Sequence, residues 1–389
     1  MASCFGIWPS LVKSDNRNLI EALSESEDPA SAGTATRLRR HWSAETIRAA
    51  VSLVLVRRKA VGKMRRPNLL LADPSGLEQS TGSVVATHKA NRFRKAGIQR
   101  AYDLCCGIGG DAMALAEVTD LTVVDRDPER VWLAERNVSL TTEAATHGVV
   151  ADLEQMPLSD MPIHLDPARR SAEGRRRHRI EDASPGPDII FRLMKRAIDC
   201  AIKLSPGIVF ESLPEGEVEI INSGGSLVQA VLWTGRLSQG SGLRTATHLP
   251  GGTSLTGQPD RPMSFSPPER YLLAVNPAVE RAGLMGLLGE QLNLAAVHPA
   301  LGLLTAGHPV PNSWLTPYEL IEAMPWREKK VTAWLRANEA GTVVVKTRDK
   351  TVDPDIISRR LSGTGSGNFT VFILRLDKKV VAWITRRGT

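Results

Sequence analysis

The chain has 389 residues, and at roughly 100–200 residues per domain this length predicts two or three domains. Hydrophobic residues make up 42% and charged residues 23%, a balance that excludes a chain disordered throughout. No apolar run approaches the length of a membrane span, and the first residues lack the pattern of a secretory signal. We therefore expect a cytoplasmic protein without membrane segments.

The chain carries 49 basic and 42 acidic residues, a net charge of +7 that favours a polyanionic partner without identifying one. Its four cysteines do not form spaced pairs, since Cys105 and Cys106 are adjacent. Adjacent cysteines suit neither a disulfide framework nor the two-residue spacing of zinc ligands. We therefore expect a reduced compartment and no metal site.

The first 97 residues are predicted to form a mostly helical region. Residues 1–40 show little hydrophobic periodicity, so we expect them to fold weakly. Ser43 is a suitable N-cap, and Glu45 favours the positive end of the helix that follows. The apolar side chains predicted on one face of that helix are Ile47, Val51, Val54 and Leu55.

Residues 98–250 alternate short apolar runs with helical patterns, which predicts a parallel sheet covered by helices on both faces. The predicted strands are Arg100–Leu104, Leu121–Asp125, Gly148–Ala151, Ile163–Asp166 and Ile208–Glu211. The predicted helices are Asp111–Val118, Asp127–Leu140 and Asp188–Leu204. Two further apolar runs, Leu227–Trp233 and Arg244–Leu249, are predicted to form an antiparallel hairpin at the sheet edge.

Residues 251–268 are rich in Gly, Ser, Thr and Pro, a composition typical of a linker. A second, smaller α/β pattern occupies residues 269–389. Its predicted helices are Ala278–Leu292, Arg327–Asn338 and Pro354–Leu361. Its predicted strands are Thr342–Lys346, Phe369–Leu376 and Val380–Thr385, the last two joined by a tight turn.

Four acidic residues end consecutive strands of the predicted parallel sheet. Asp103 precedes a loop in which glycine permits positive φ and close approach of a ligand to the backbone. Asp125, 22 residues further on, can accept both ribose hydroxyls of an adenosine, and Asp152 can accept an adenine amine. Asp166 and Pro167 end the fourth strand, at the edge where open α/β sheets bind ligands.

The glycine loop also fits a second kind of cofactor. Gly107, Gly109 and Ala112 satisfy the dinucleotide fingerprint, which makes a nicotinamide cofactor the alternative. Asp103 argues against it, because its carboxylate would face a pyrophosphate, and Asp166-Pro167 has no role in dinucleotide binding. The simplest interpretation of two further acids, Asp111 and Asp127, is that they cap helices.

The segment Asp103-Leu-Cys-Cys-Gly-Ile-Gly-Gly-Asp111 resembles motif I of class I S-adenosylmethionine-dependent methyltransferases, especially the RNA-modifying group that includes trimethylguanosine synthases. Val124-Asp-Arg-Asp-Pro128 resembles their second acidic motif. Asp166-Pro-Ala-Arg-Arg170 and the upstream Val85-Ala-Thr-His-Lys-Ala-Asn-Arg-Phe93 resemble bacterial members with a C-terminal THUMP-like domain. The resemblance extends over residues 40–389.

The resemblance implies a Rossmann-like methyltransferase sheet with an N-terminal helical region and a smaller C-terminal α/β domain. It also implies S-adenosylmethionine as the cofactor. The residues assigned to cofactor binding are Asp103, Cys105, Gly107, Gly109, Gly110, Asp125, Arg126 and Asp152. Asp166 and Pro167 are assigned to the methyl-transfer centre.

The fourth motif differs from that of methyltransferases acting on exocyclic nitrogens, which carry a second proline followed by an aromatic residue. Ala168 and Arg169 stand at these positions, so the ring that would stack on a base is missing. Uridine C5 methylation instead requires a nucleophilic cysteine after a later strand, and residues 212–215 contain none. We interpret Cys105 and Cys106 as small buried residues of the cofactor loop.

Arginines cluster directly after the fourth motif, and those assigned to RNA contact are Arg169, Arg170, Arg175, Arg176 and Arg177. The simpler interpretation of this arginine run is a solvated surface. Residues 341–389 contain ten Lys/Arg and four Asp/Glu, which suggests an RNA-docking module, with a basic but purely structural domain as the alternative. We expect a methyltransferase of tRNA or rRNA. The alternatives are a methyltransferase of a small molecule or protein, and a non-catalytic RNA-binding protein. The methylated atom and the oligomeric state stay open.

Overall fold

The computed structural model describes residues 6–156, 160–169, 180, 183–349 and 351–388, with only the backbone at Arg169. The chain divides into two structural units. Unit 1 comprises Met1–Gly224 and Val228–Gly242, and unit 2 comprises Gly225–Leu227 and Leu243–Thr389. Within the described ranges, no helix is both long enough and apolar enough to span a lipid bilayer.

Four helices begin unit 1: α1 (Trp8–Leu11), α2 (Ser14–Glu25), α3 (Ala32–Leu38) and α4 (Ala44–Lys59). The expectation that residues 1–40 fold weakly is wrong for the described part, because Leu19 and Leu23 are fully buried in one core with residues of α4. This stripe of apolar side chains is too narrow to give a strong period. Ser43 accepts a hydrogen bond from the Thr46 amide and caps α4 as predicted, whereas Leu55 is exposed.

The remaining elements of unit 1 alternate between helix and strand. The helices are α5 (Pro74–Gln79), α6 (Ser83–Lys95), α7 (Ala112–Leu115), α8 (Pro128–Thr141) and α9 (Pro187–Arg196). The strands are β1 (Arg100–Leu104), β2 (Asp120–Asp125), β3 (Thr146–Val150), β4 (Ile163–Leu165), β5 (Ala168–Arg169), β6 (Ala183–Ser184), β7 (Cys200–Leu204), β8 (Glu217–Ser223) and β9 (Ser226–Thr234). Short 3-10 turns occur at Pro67–Leu69, Phe210–Ser212 and Gly235–Leu237.

The large sheet in unit 1 follows the order β8-β9-β7-β4-β1-β2-β3. Strands β3, β2, β1, β4 and β7 run parallel, and β9 runs antiparallel to β7. From β1 the chain continues to β2 on one side and later to β4 on the other. This reversal opens a crevice at the carboxyl ends of the strands, where open α/β sheets bind ligands. The predicted fold class is confirmed.

The sequence-based assignment fails around β7. The predicted helix Asp188–Leu204 ends at Arg196, and its last residues form β7. The β7 residues are buried almost throughout, and such an apolar run has no period that separates helix from strand. The predicted strand Ile208–Glu211 is also wrong, because the chain there forms a loop leading into the 3-10 turn Phe210–Ser212.

Unit 2 contains a second sheet, of order β13-β14-β12-β15-β18-β17-β16. The strands of unit 2, of which the first two pair antiparallel with each other, are β10 (Arg244–Leu249), β11 (Thr253–Gly257), β12 (Tyr271–Val275), β13 (Ala295–Ala296), β14 (Leu303–Ala306), β15 (Leu315–Pro325), β16 (Ala340–Thr347), β17 (Gly367–Leu376) and β18 (Lys379–Arg387). Its helices are α10 (Pro277–Arg281), α11 (Met285–Leu292), α12 (Glu328–Ala337) and α13 (Pro354–Leu361). The three predicted strands β16, β17 and β18 and the helices α12 and α13 are confirmed.

Three predictions in this half of the chain need correction. The predicted hairpin of Leu227–Trp233 with Arg244–Leu249 is wrong, because β9 pairs with β7 and β10 pairs with β11. Strand β11 lies inside the stretch predicted to be a linker. The single predicted helix Ala278–Leu292 is divided into α10 and α11 at Gly283, whose φ of 70° is incompatible with a continuous helix.

Replacement of Leu19 with alanine tests the packing of the N-terminal helices. The side chain is fully buried, so its loss is expected to lower the free energy of unfolding by about 2–5 kcal/mol. Urea denaturation followed by circular dichroism measures this change. Glu21→Ala in the same helix removes an exposed side chain and serves as the control, with little expected effect. Equal effects of the two substitutions would contradict the packing described.

Candidate active site

A cleft of about 1360 Å³ opens at the carboxyl ends of the parallel strands and is lined by residues of unit 1. Small-molecule sites commonly have volumes of about 300–1,000 Å³, so this cleft has room for a cofactor and part of a second reactant. The four acidic strand ends that the sequence singles out all line it: Asp103, Asp125, Asp152 and Asp166. Tertiary structure thus brings together side chains that are up to 63 residues apart.

The glycine loop after β1 uses its glycines for two purposes. Gly107 and Gly109 have φ values of 54° and 83°, a region that favours glycine. A Cβ on Gly109 would lie 3.0 Å from the Cα of Ala134 in α8, and one on Gly110 would lie 3.0 Å from the amide nitrogen of Thr81. A Cβ on Gly107 would meet no atom within 4 Å. Two glycines therefore allow close packing, whereas Gly107 presents its backbone to the cleft.

Asp125 and Asp152 organise the loops that border the cleft. Asp125 Oδ2 accepts a hydrogen bond from the Gly107 amide at 3.1 Å, and its Oδ1 accepts one from the amide two residues further on. Asp152 Oδ1 likewise accepts a hydrogen bond from the amide two residues further on, at 2.9 Å. A carboxylate has about four acceptor sites, so both side chains can still bind a ligand. Arg126 is exposed and also lines the cleft.

Asp103 is 1% exposed at the end of β1. Its Oδ1 lies 2.7 Å from Nδ1 of His164, while its Oδ2 is buried without a hydrogen-bond partner among the described residues. Burial raises the pKa of Asp103, and the neighbouring His164 opposes this effect. A buried carboxylate oxygen without a donor is unfavourable. The site therefore suits a ligand that brings a cationic donor to this oxygen.

The interpretation of Asp111 as a helix cap is wrong, because its side chain makes no capping hydrogen bond. Instead, Oδ1 lies 2.7 Å from Nζ of Lys89, and Oδ2 accepts a hydrogen bond from Thr81 Oγ1 at 2.6 Å. Burial opposes ionisation of this carboxyl, but the surrounding basic groups, above all Lys89, hold the pKa of Asp111 below its ordinary value. Asp127 does cap its helix, α8, as predicted.

Asp166 and Pro167 follow β4 and line the cleft together. The Asp166 amide donates a hydrogen bond to the carbonyl of Leu104 in β1 at 3.2 Å, which fixes the backbone at this position. Lys203 extends from β7, and its Nζ lies 2.6 Å from Asp166 Oδ2 and 3.1 Å from Thr81 Oγ1. The carboxylate of Asp166 is thus held by an ion pair at the mouth of the cleft.

The arginines predicted to contact RNA are mostly beyond structural description. The backbone of Arg169 lies in β5, which pairs with β6. Arg170, Arg175, Arg176 and Arg177 lie outside the described residues. Their assignment stays a prediction.

Cys105 and Cys106 lie in the glycine loop, the first partly exposed and the second buried. Burial is the main cause that raises the pKa of both thiols, and nearby aspartates, including Asp103 and Asp125, raise it further. Both are therefore thiols at neutral pH, and a thiol is a poor nucleophile. This agrees with their interpretation as small residues of the loop. A cofactor-binding role for Cys105 stays a prediction.

Four polar residues of the site were not singled out from the sequence. Lys89 follows Val85 by four residues on the apolar face of α6, and a lysine there is the signal that could have identified it. His164 lies within a short buried strand, and Lys203 lies in the strand mistaken for a helix. Gln229 on β9 lines the cleft and is 3% exposed, and its Nε2 has no partner within the described parts of the chain.

Comparison with known proteins identifies the family and its cofactor. Two proteins from strains of Mycobacterium tuberculosis, both called uncharacterized S-adenosylmethionine-dependent methyltransferases, are 32% identical over 352 residues, which cover 86% of this chain and 94% of theirs. The chain belongs to this methyltransferase family. A putative methyltransferase from Porphyromonas gingivalis shares the fold, with a TM-score of 0.76 at 19% identity over 96% of this chain and 99% of that one.

The family carries two consequences for this methyltransferase. S-Adenosylmethionine is its cofactor, so the nicotinamide alternative is excluded. Its C-terminal part is a THUMP-like domain, since the family described as THUMP domain-like matches residues 315–387. The cleft suits the cofactor, because the buried Asp103 Oδ2, which has no partner in the described part of the chain, can accept a hydrogen bond from the cationic amino group of its aminoacyl end.

Alkylation rates test the state of the two loop thiols. Because the pKa of each is raised, we expect iodoacetamide at pH 8 to modify Cys105 and Cys106 at least about tenfold more slowly in the native protein than in urea. Peptide mass spectrometry gives the rate at each site. A Ser139→Cys variant adds an exposed thiol on α8 and is the control for reagent activity. Rapid modification of the native loop would show that a reactive thiolate is present.

Proposed function

We propose that this methyltransferase modifies RNA, either a tRNA or a ribosomal RNA. The supporting observation is that four strand-end carboxylates line one cleft in a chain whose C-terminal part matches a THUMP-like family. S-Adenosylmethionine, when bound, supplies an electrophilic methyl group on a positively charged sulfur. The residues of the chain hold the reactants in line and at contact distance, which is the main contribution an enzyme makes to such a displacement.

Three carboxylates are proposed to hold the cofactor. Asp103 accepts the cationic amino group through its buried Oδ2, Asp125 accepts the ribose hydroxyls, and Asp152 accepts the adenine amine. The glycine loop lies between the first two, and Gly107 gives the cofactor access to the backbone. The remaining loop residues assigned to the cofactor are Cys105, Gly109, Gly110 and Arg126.

Asp166 and Pro167 are proposed to hold the acceptor. Lys203 holds one oxygen of the Asp166 carboxylate, so this side chain does not move freely. Its other oxygen is proposed to orient the acceptor by a hydrogen bond. The amide of Gln229 lines the same cleft, and its Nε2 can donate to a carbonyl or ring nitrogen of the acceptor. An unpaired buried donor of this kind favours a polar acceptor such as a nucleobase.

The RNA is proposed to dock through basic residues that follow the fourth motif in the sequence and through others in unit 2. The arginines that follow Pro167 in the sequence are Arg169, Arg170, Arg175, Arg176 and Arg177. Unit 2 exposes a second basic set, consisting of Lys346, Arg348, Arg359, Arg360, Arg375, Lys378, Lys379, Arg386 and Arg387. Contacts to phosphate position a nucleic acid without reading its sequence. Two sets of basic residues favour a large polyanionic acceptor over a small molecule.

Replacement of Asp166 with alanine tests the acceptor assignment. We expect kcat for methyl transfer from labelled S-adenosylmethionine to total tRNA and rRNA to fall at least about 100-fold, because the acceptor loses its orienting group. The affinity for S-adenosylhomocysteine, measured by calorimetry, should change less than about threefold if Asp166 acts at the acceptor. Asp120→Ala, an exposed acid at the other end of β2, is the control.

Two results would contradict the proposal at different points. Full activity of Asp166→Ala would show that another group orients the acceptor. Labelling of protein or small molecules by the wild-type enzyme, with none of RNA, would show that the acceptor class is wrong.

The salt dependence of RNA binding tests the docking surface of unit 2. Lys378 and Lys379 are exposed at the turn between β17 and β18, so replacing both with glutamine should lower the slope of log K against log salt by about 1 to 2. Filter binding to tRNA at several salt concentrations gives the slope. Arg37→Gln with Arg40→Gln removes two exposed charges from unit 1 and is the matched control. An unchanged slope in the lysine variant would remove this turn from the interface.

A further inference from the structure

A buried series of polar groups connects the carboxylate of Asp103, which is assigned to cofactor binding, to Lys89. The proposed function gives Lys89 no role. Asp103 Oδ1 lies 2.7 Å from Nδ1 of His164, and Nε2 of the same ring lies 2.9 Å from Nζ of Lys89. Lys89 and His164 are both 0% exposed. The ammonium of Lys89 lies 2.7 Å from Asp111, which Thr81 contacts from its other side.

Donor and acceptor counting fixes the direction of this series. A lysine ammonium can only donate, so Nε2 of His164 accepts from Lys89 and the ring proton lies on Nδ1, where it donates to Asp103. Lys89 thus selects the tautomer of His164 in which Nδ1 donates a hydrogen bond to Asp103. The ion pair with Asp111 balances the charge of Lys89. The carboxylate of Asp103 therefore lacks a cationic partner among these groups, and its Oδ2 has no hydrogen-bond donor among the residues that the structure describes.

A lysine without solvent exposure is unfavourable unless its interactions compensate for the lost hydration. Packing alone does not require one here, because the neighbouring positions on the buried face of α6 are Val85, Ala86, Ala90 and Phe93. Lys89 contacts His164 as well as its ion-pair partner, and His164 contacts Asp103. Through His164, Lys89 therefore acts on the carboxylate of Asp103, which lines the cleft.

We propose that Lys89 and His164 are positioning residues, which hold Asp103 oriented and negatively charged for the ammonium group at the aminoacyl end of the cofactor. The inference rests on the proposed role of Asp103 in cofactor binding. The inference predicts that Lys89 and His164 contribute to binding of the aminoacyl end of the cofactor and not to binding of its adenosine.

Two ligands separate these contributions. S-Adenosylhomocysteine carries the amino group, whereas 5′-methylthioadenosine shares the adenosine and the thioether but lacks the aminoacyl end. Calorimetry on the full-length protein is expected to show that Lys89→Met and His164→Gln each lower the affinity for S-adenosylhomocysteine by about 10- to 100-fold. The reason is that a hydrogen bond to a charged group is lost. Both variants should bind 5′-methylthioadenosine within about twofold of the wild type.

The histidine variants give a finer test of the tautomer. His164→Asn keeps an amide donor near the position of Nδ1 and should retain more affinity for S-adenosylhomocysteine than His164→Gln. Lys89→Met removes the ion-pair partner of the buried Asp111, so Lys89→Met with Asp111→Asn removes both charges if the single variant does not fold. His88→Gln alters the neighbouring histidine of α6, which pairs with Glu219, and should change neither affinity.

Asp103→Asn separates failure of this inference from failure of the proposed cofactor site. If Asp103→Asn weakens only S-adenosylhomocysteine while the Lys89 and His164 variants weaken both ligands equally or neither, the positioning role is wrong and the Asp103 assignment stands. If Asp103→Asn itself affects both ligands equally or neither, the assignment of Asp103 to the aminoacyl end is wrong. A selective loss in all three variants supports both.

Discussion

The carboxylate of Asp103 lies at the end of the central strand β1, removed from water and contacted on one side by His164. A charge in this position is unfavourable without compensating groups, so several elements contribute to its surroundings. Strand β4 supplies His164, because parallel pairing places this residue opposite Asp103. Helix α6 supplies Lys89, and the glycine loop supplies Asp111 to balance it. The site is therefore a joint product of β1, its neighbour and the covering helix.

The register of the parallel strands explains why the other carboxylates meet at the same cleft. Leu104 pairs with Val124 in β2 and with Leu165 in β4. Asp125 is the last residue of β2 and Asp166 directly follows β4, so both lie at the level where the glycine loop begins. The amide of Gly107 then binds Asp125, which ties the loop to the second strand. One register thus positions groups for both proposed ends of the reaction.

Strand β7 supplies the lysine that pairs with Asp166 in the altered fourth motif. Methyltransferases with an aromatic residue at this motif can stack the acceptor base on it, and this chain lacks that ring. The structure has an ion pair of Asp166 with Lys203, and the buried Gln229 lines the same cleft. We infer that the acceptor is oriented by polar contacts rather than by stacking on this motif. Such recognition requires each hydrogen-bond donor to meet a hydrogen-bond acceptor. It therefore discriminates among polar substrates of the methyl transfer.

The sequence by itself determined the methyl-donor fold and the candidate cofactor residues, because acids at strand ends and glycines in a loop are local features with a regular spacing. Asp103, Asp125, Asp152 and Asp166 were all found in this way, and all line the cleft. Local patterns could not identify strand β7, since its nearly continuous burial erases the period that separates helix from strand. They also missed the folding of residues 1–40, whose apolar stripe is too narrow to give a strong period. Nor could they identify the partners of the acids. Lys89, His164 and Lys203 are distant in sequence from the groups they contact, and only tertiary packing brings them together.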